Sequence, residues 1–381
     1  MKKMLFILMM VAIGGIQVSH VEAKTKTVYE RATTTIGKFQ YDYHVGADGI
    51  VINKITPLSD DGISTLKIPK KINGRKVVKL GASRAIMKKN EKRVTNFLGC
   101  FLLENGSETT TAPKDVYERV KKIKKIEIPS TVKKITYDCF SHIPDGISIN
   151  IPKGVNENVE GLLWKANWKK ITISSKHKKY KVVQGCFLSK NGKIFYGFAE
   201  RRKKFVIPKT VKTIVSLPRI YEGAFKIFIP QSVTKIKTEG LSIGADMTIK
   251  VAKGSKKFAV ENGCLYNKKT GHLIATYVSK DGVLRIPEGV TYVTNFPSYT
   301  AKTIVLPASV KQVEIRINYS DAGELVCVAE GRIPFNLSGD SISPFVKLTL
   351  CVPVGCKEAY ERELKEEISA HPDQITIIEQ E

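Results

Sequence analysis

The side chains that most often carry catalysis are scarce in this sequence. Among 381 residues there are six histidines and two tryptophans. The histidines stand singly, at 20, 44, 142, 177, 272 and 371. None lies in H-E-x-x-H, and no G-x-S-x-G serine or papain-type cysteine motif accompanies them. The chain lacks a C-x-x-C pair, and Cys351 and Cys356 have no histidine nearby, which excludes the common zinc spacings. A P-loop and a G-x-G-x-x-G turn are also missing, so nothing points to nucleotide chemistry. Aspartate and glutamate total 36 and are scattered outside an acidic C-terminal segment, so no carboxylate pair can be assigned acid–base work. No enzyme, metal site or cofactor is expected.

Long apolar runs are missing as well, with one exception at the start. MKKMLFILMMVAIGGIQVSHVEA has two lysines, an apolar run from Met4 to Ile16, and small or branched residues at Val21 and Ala23. This is the build of a secretory signal peptide over 1–23 with cleavage after Ala23. The run falls short of the roughly 18 residues a membrane span needs. No cysteine follows the cleavage point and no hydrophobic tail closes the chain. The expected product is a soluble monomer, secreted or held at a bacterial cell envelope. Losing Lys2, Lys3 and Glu22 lowers the formal charge from +26 to +25. Only 12 of the 62 basic residues are arginine, the side chain best suited to bidentate phosphate and carboxylate recognition.

What the chain does have is a repeat. Prolines at 69, 129, 152, 208, 230, 287, 307 and 353 each close a short strand. Three residues before them stand Leu66, Ile126, Ile149, Phe205, Ile227, Leu284, Ile304 and Leu350. One residue before stand Ile68, Ile128, Ile151, Ile207, Ile229, Ile286, Leu306 and Val352. A period of two puts both positions on one inward face. Proline cannot donate to a sheet ladder, so it fits where the strand ends and the chain turns. Three residues later come Val132, Val155, Val211, Val233, Val290 and Val310. In five of these rows a further anchor follows, at Ile135, Ile214, Ile236, Val293 or Val313. The chain thus returns to the same core, while Lys133, Lys209, Lys212 and Lys311 fall between anchors and face water.

The prolines at 129, 208 and 287 lie 79 residues apart each time, which marks duplication of a large unit. KKYKVVQGCFLSKNGKIFYGF from Lys178 recurs as KKFAVENGCLYNKKTGHLIATY from Lys256, and a weaker copy starts at Lys92. Each reads as a hairpin-like excursion between rungs. Repetition of a unit too small to bury its own face implies a stacked, quasi-one-dimensional fold. We expect a mainly β protein with some helix, a right-handed solenoid of short parallel strands. Its divisions are an N-terminal β cap over 24–60, a solenoid over 61–350, and a C-terminal strand and capping helix over 351–381.

The rung pattern, an apolar residue followed by I-x-I-P-x-x-V-x-x-I, resembles the BspA-like leucine-rich repeat family of bacterial secreted and surface proteins. The resemblance runs from about Gly37 to Glu381 and includes KINGRKVVKL and the closing LCVPVGCKEAYERELKEE. It implies adhesion through the repeat surface. The family's A-F survives as Ala224-Phe225 and is altered to Cys139-Phe140. Cys356 stands where the family has a helix-capping serine.

Seven cysteines lie at 100, 139, 186, 264, 327, 351 and 356, in a compartment that permits disulfides. Cys186 and Cys264 share one repeat position and read as buried small hydrophobes. Cys327 and Cys351, on consecutive C-terminal strands, are the best candidate pair.

The outward residue of each strand, free to vary, is where binding is sought: Lys67, Glu127, Asn150, Val206, Phe228, Arg285 and Val305. The first reading is a non-catalytic scaffold that recognises a protein or glycan at a cell surface or in extracellular matrix. The second is a binder of acidic polymers, whether extracellular DNA, sulfated glycan or envelope phosphate, through lysine clusters at 121–125, 176–181, 201–204 and 256–257. Tyr180, Tyr196 and Phe258 interleave with those lysines as a stacking platform would, although an aromatic repeated on a strand is more often core. Against this second reading stands a plainer one, in which the lysines form a solvated face that keeps a repetitive β-rich surface soluble and blocks edge pairing. A solenoid-framed enzyme is a remote third reading.

Overall fold

A computed structural model describes residues 31–81, 93–95, 102–104, 107–109, 114–136, 139–140, 143–157, 159, 161–165, 168–200, 202–217, 225–237, 241–243, 247–277, 282–297, 301–317, 323–342 and 346–381. Residues 1–30, including the Ala23 cleavage point, lie outside these, as do Cys100, His142, Arg201 and Ala224.

The chain opens as an antiparallel meander of Arg31–Ile36, Phe39–Gly46 and Gly49–Pro57. From its third strand the hydrogen bonding turns parallel, to Arg75–Leu80 and then Lys134–Ile135. Thereafter two series of short parallel strands run through the molecule. The face series comes in three sheets. The first stacks Thr65–Lys67, Lys125–Glu127, Ser148–Ile151 and Lys170–Ile173. Lys204–Val206, Phe225–Ile229 and Met247–Val251 make the middle sheet. The C-terminal sheet stacks Val283–Arg285, Thr303–Leu306, Glu324–Ala329, Lys347–Val352 and Ile375–Glu379. The second series holds the return anchors, such as Thr213–Ile214 beside Lys235–Ile236 and Tyr292–Pro297 beside Gln312–Ile317.

Every anchor read from the proline alignment is buried: Leu66, Ile126, Ile135, Ile151, Ile207, Ile214, Val211, Val293 and Leu350 have no more than 1% of their surface exposed. Each such side chain contributes about 1.5–3 kcal/mol by leaving water. The proline position has a mechanical use. The carbonyls of Pro129, Pro208, Pro230, Pro287 and Pro307 accept the N–H of the valine three residues on, closing a turn that aims that valine inward. Because proline lacks an N–H, it gives up no ladder bond at this corner.

The hairpin excursions are more integrated than their sequence suggests. Tyr180–Val183, Cys186–Ser189 and Ile194–Phe198 form an antiparallel unit whose last strand pairs in parallel with Thr213–Ile214. The copy, Phe258–Glu261, Cys264–Asn267 and Leu273–Tyr277, pairs in parallel with Leu241–Ile243. Each unit therefore takes the place of a rung strand, because its inward residues, Phe187, Phe195, Leu265 and Ile274 among them, complete the solenoid core. At the C-terminus helices Lys357–Glu363 and Lys365–Ala370 follow Pro353. The chain then returns as one further face strand, Ile375–Glu379, beyond the single strand and helix expected.

Candidate functional site

The seven outward positions stand where the alternation of the strands puts them. Lys67, Val206, Phe228 and Arg285 are exposed, and Glu127, Asn150 and Val305 are half-buried. Parallel register aligns them into rows: Lys67 beside Glu127 beside Asn150, Val206 beside Phe228, and Arg285 beside Val305. The rows go on through Cys351, the outward residue before Pro353, and through residues the proline alignment did not single out, namely Thr172, Lys250, Val328 and Ile378. Neighbouring strands lie about 4.8 Å apart, so each row is a continuous line of side chains.

A second outward row runs two residues upstream, and only the structure makes its importance clear. In the first sheet it holds Thr65, Lys125, Ser148 and Lys170, in the middle sheet Lys204, Lys226 and Thr248, and in the C-terminal sheet Val283, Thr303, Val326, Thr349 and Thr376. The three sheets therefore differ in character. In the first, lysines meet carboxylates. Lys125 donates to Glu127 at 2.7 Å, and this bond, with Lys67 nearby, holds the Glu127 carboxyl below the usual carboxylate range. Lys170 lies 3.9 Å from Glu200, which also pairs with Arg202, and Thr172 donates to Asn150. The middle sheet is basic and partly apolar, with Val206 45% and Phe228 37% exposed. The C-terminal sheet is a threonine and valine surface.

Charge is segregated along the chain in the same sense. Residues 24–281 carry 51 basic against 21 acidic side chains, whereas residues 282–381 carry nine against 14. Within 161–238 there are 19 basic residues and two acidic ones. This imbalance was present in the sequence and shows once charges are counted by segment.

The other candidates resolve as structure. Tyr180 and Phe258 are 6% and 3% exposed, so neither is a stacking platform. Tyr180 packs with Phe187, Tyr196 and His177. His177 is fully buried: one ring nitrogen faces the Val155 carbonyl at 2.7 Å and the other accepts the N–H groups of Lys179 and Tyr180. Ser255 holds the same place in the copy and accepts the N–H of Phe258. His272 is half-buried with its ring edge-on to Tyr292.

Cys186, Cys264 and Cys327 are buried thiols whose pKa burial pushes up to about 12. The proposed Cys327–Cys351 bridge is not formed, and both cysteines are free. Register opposes Cys327 to Leu350 and Cys351 to Val328, so a one-residue offset puts the two sulfurs on opposite faces of the sheet. Among the described residues no group of three or more His, Cys, Asp or Glu side chains could hold a metal ion.

Stacked parallel strands with a repeated proline corner define a repeat protein of the solenoid class. Residues 110–241 match the BspA type Leucine rich repeat region in six copies. No curated protein matches the chain. Two solved structures are similar over most of its length. A leucine-rich repeat protein from Eubacterium ventriosum is 15% identical, with 79% of this chain and 85% of that one covered and a TM-score of 0.31. The pneumococcal vaccine antigen PcpA is 12% identical, with 92% and 99% covered and a TM-score of 0.31.

Proposed function

We propose that this chain is a non-catalytic binding scaffold, secreted or displayed at a bacterial cell envelope, that recognises an extracellular protein or glycan with the outward face of its strands. The observation that carries this reading is the pair of outward rows. The solenoid spends its inward residues on a uniform core, and it presents lines of dissimilar side chains that the fold does not require. BspA type repeats over 110–241 favour an exported, adhesin-like role. Among the described residues no helix is long and apolar enough to cross a membrane. The test is capture of purified matrix proteins, mucin and sulfated glycans on the immobilised chain. Retention should disappear when outward residues are replaced and survive when buried anchors are changed conservatively. A folded chain that retains none of these would refute the reading.

A further inference from the structure

We infer that the middle face sheet is a binding site for a sulfated linear polysaccharide, with Lys204, Lys226 and Lys250 holding sulfates and Phe228 and Val206 lying under the sugar. This rests on the scaffold reading above and names its partner class and its place.

The argument begins with a cost. Parallel register sets Lys204 directly beside Lys226, and Phe228 beside Lys250. Strands about 4.8 Å apart bring two like charges side by side, an arrangement that destabilises a sheet. In the first sheet the same row separates its lysines with neutral residues, Thr65, Lys125, Ser148 and Lys170 in order, and carboxylates lie close to them, Glu127 by Lys125 and Glu200 by Lys170. In the middle sheet Lys204, Lys226 and Lys250 are exposed, and among the described residues none has a carboxylate within ion-pair distance. The edge behind them adds Lys193, Lys212 and Lys235, stacked through backbone bonds from Lys212 and Lys235 to the rung before. A polyanion supplies the missing negative charge.

The kind of polyanion follows from what lies between the lysines. Phe228 and Val206 are adjacent and exposed in the midst of the ammonium groups. A pyranose ring presents C–H groups that suit an aromatic face and an aliphatic neighbour, while its sulfates reach lysines on either side. Lysine is a compact point charge, sufficient for sulfate, whereas phosphate read in a fixed orientation favours arginine. Single-stranded nucleic acid needs a succession of aromatic platforms. Among the described residues Phe228 is the one exposed phenylalanine, while Tyr180 and Phe258 are core and Tyr196 is half-buried against Tyr180. The C-terminal sheet carries Val283, Thr303 and Val328 at the places of Lys204, Lys226 and Lys250, so the property is confined to one stretch of the solenoid.

The experiment measures binding of the full exported chain to heparin across a salt series, with desulfated heparin, duplex DNA and oligo-dT as separate arms. The variant K204T/K226T/K250T is set against K302T/K311T/K347T, which removes the same charge from the C-terminal third, and circular dichroism checks that both fold. We expect heparin to bind and desulfated heparin not to. The middle triple should weaken binding about tenfold at physiological salt and flatten its salt dependence, and the control should change it less than about twofold. Phe228→Ser should weaken binding with the salt slope unchanged. Equal losses in the two triples, or no heparin binding, overturn the site while leaving recognition elsewhere on the scaffold open. Tighter binding to either DNA, lost with the same three lysines, overturns the polysaccharide in favour of nucleic acid.

Discussion

Gln184 occupies a backbone conformation that its side chain does not favour. Three two-residue hairpin turns, Asn73-Gly74, Gln184-Gly185 and Asn262-Gly263, place both residues at positive φ, 47° and 77°, 50° and 76°, and 46° and 78°. Asparagine tolerates this region and glutamine gains nothing there. Gln184→Asn should therefore stabilise the protein by about 0.5 kcal/mol, read as a higher urea midpoint. His44 supplies a pH dependence. It is 3% exposed, and burial lowers its pKa, with Lys79 and Arg31 adding repulsion and the Asn53 hydrogen bond opposing. Native His44 stays neutral while the unfolded chain takes up a proton below its ordinary value of 6.5. The contribution is thus complete above that pH and declines as pH falls toward the lower native value. Between pH 6.5 and 5 the urea midpoint should fall less steeply in His44→Gln than in the parent chain.

At the scale of elements, the C-terminal cap replaces one device with another. Cys356 makes no side-chain bond at the start of the helix Lys357–Glu363. Instead the Glu379 carboxylate, on the last strand, accepts the N–H groups of Gly355 and Lys357 at 2.8 and 3.2 Å. A negative group at a helix start satisfies free donors and suits the helix dipole. Glu379→Ala should cost about 1 kcal/mol, and Cys356→Ser should recover part of it by restoring a local cap. A thermal melt of the two single variants and the double checks both. The sequence shows the missing serine but not its substitute, since 22 residues separate Glu379 from Lys357. The face is legible in the same limited way. Period-two alternation identifies outward residues, and the Lys125–Glu127 pair lies within one strand, while the pairing of Lys170 with Glu200 and the lack of a carboxylate partner for Lys204 among the described residues depend on register across long loops.

At the scale of the molecule, stacking makes stability a sum of neighbour terms. Ile304, 1% exposed, sits between Leu284 and Cys327 in the C-terminal sheet. Ile304→Ala should cost about 2–5 kcal/mol and loosen its own end of the solenoid first. Hydrogen exchange should rise over 282–379 and stay unchanged over 31–81. Thiol chemistry tests the placement of the six described cysteines. In the native protein Cys351 and Cys356 should react with a thiol reagent, and Cys139, Cys186, Cys264 and Cys327 should react only after unfolding. A reductant should leave the melting temperature unchanged.

The sequence alone determined the repeat, the inward anchors and the proline corner, because these depend on spacing within a few residues and on what each side chain costs in water. It also held the charge segregation. The tertiary structure decided everything that depends on which strand lies beside which. Register put Cys327 and Cys351 on opposite faces, brought Glu379 to a distant helix, and built the last strand of each hairpin unit into the core. By the same means it left Lys204, Lys226 and Lys250 around Phe228 without carboxylate partners among the described residues. A one-residue offset between strands turns a side chain to the other face of a sheet, and the long segments between rungs conceal that offset until the chain is folded.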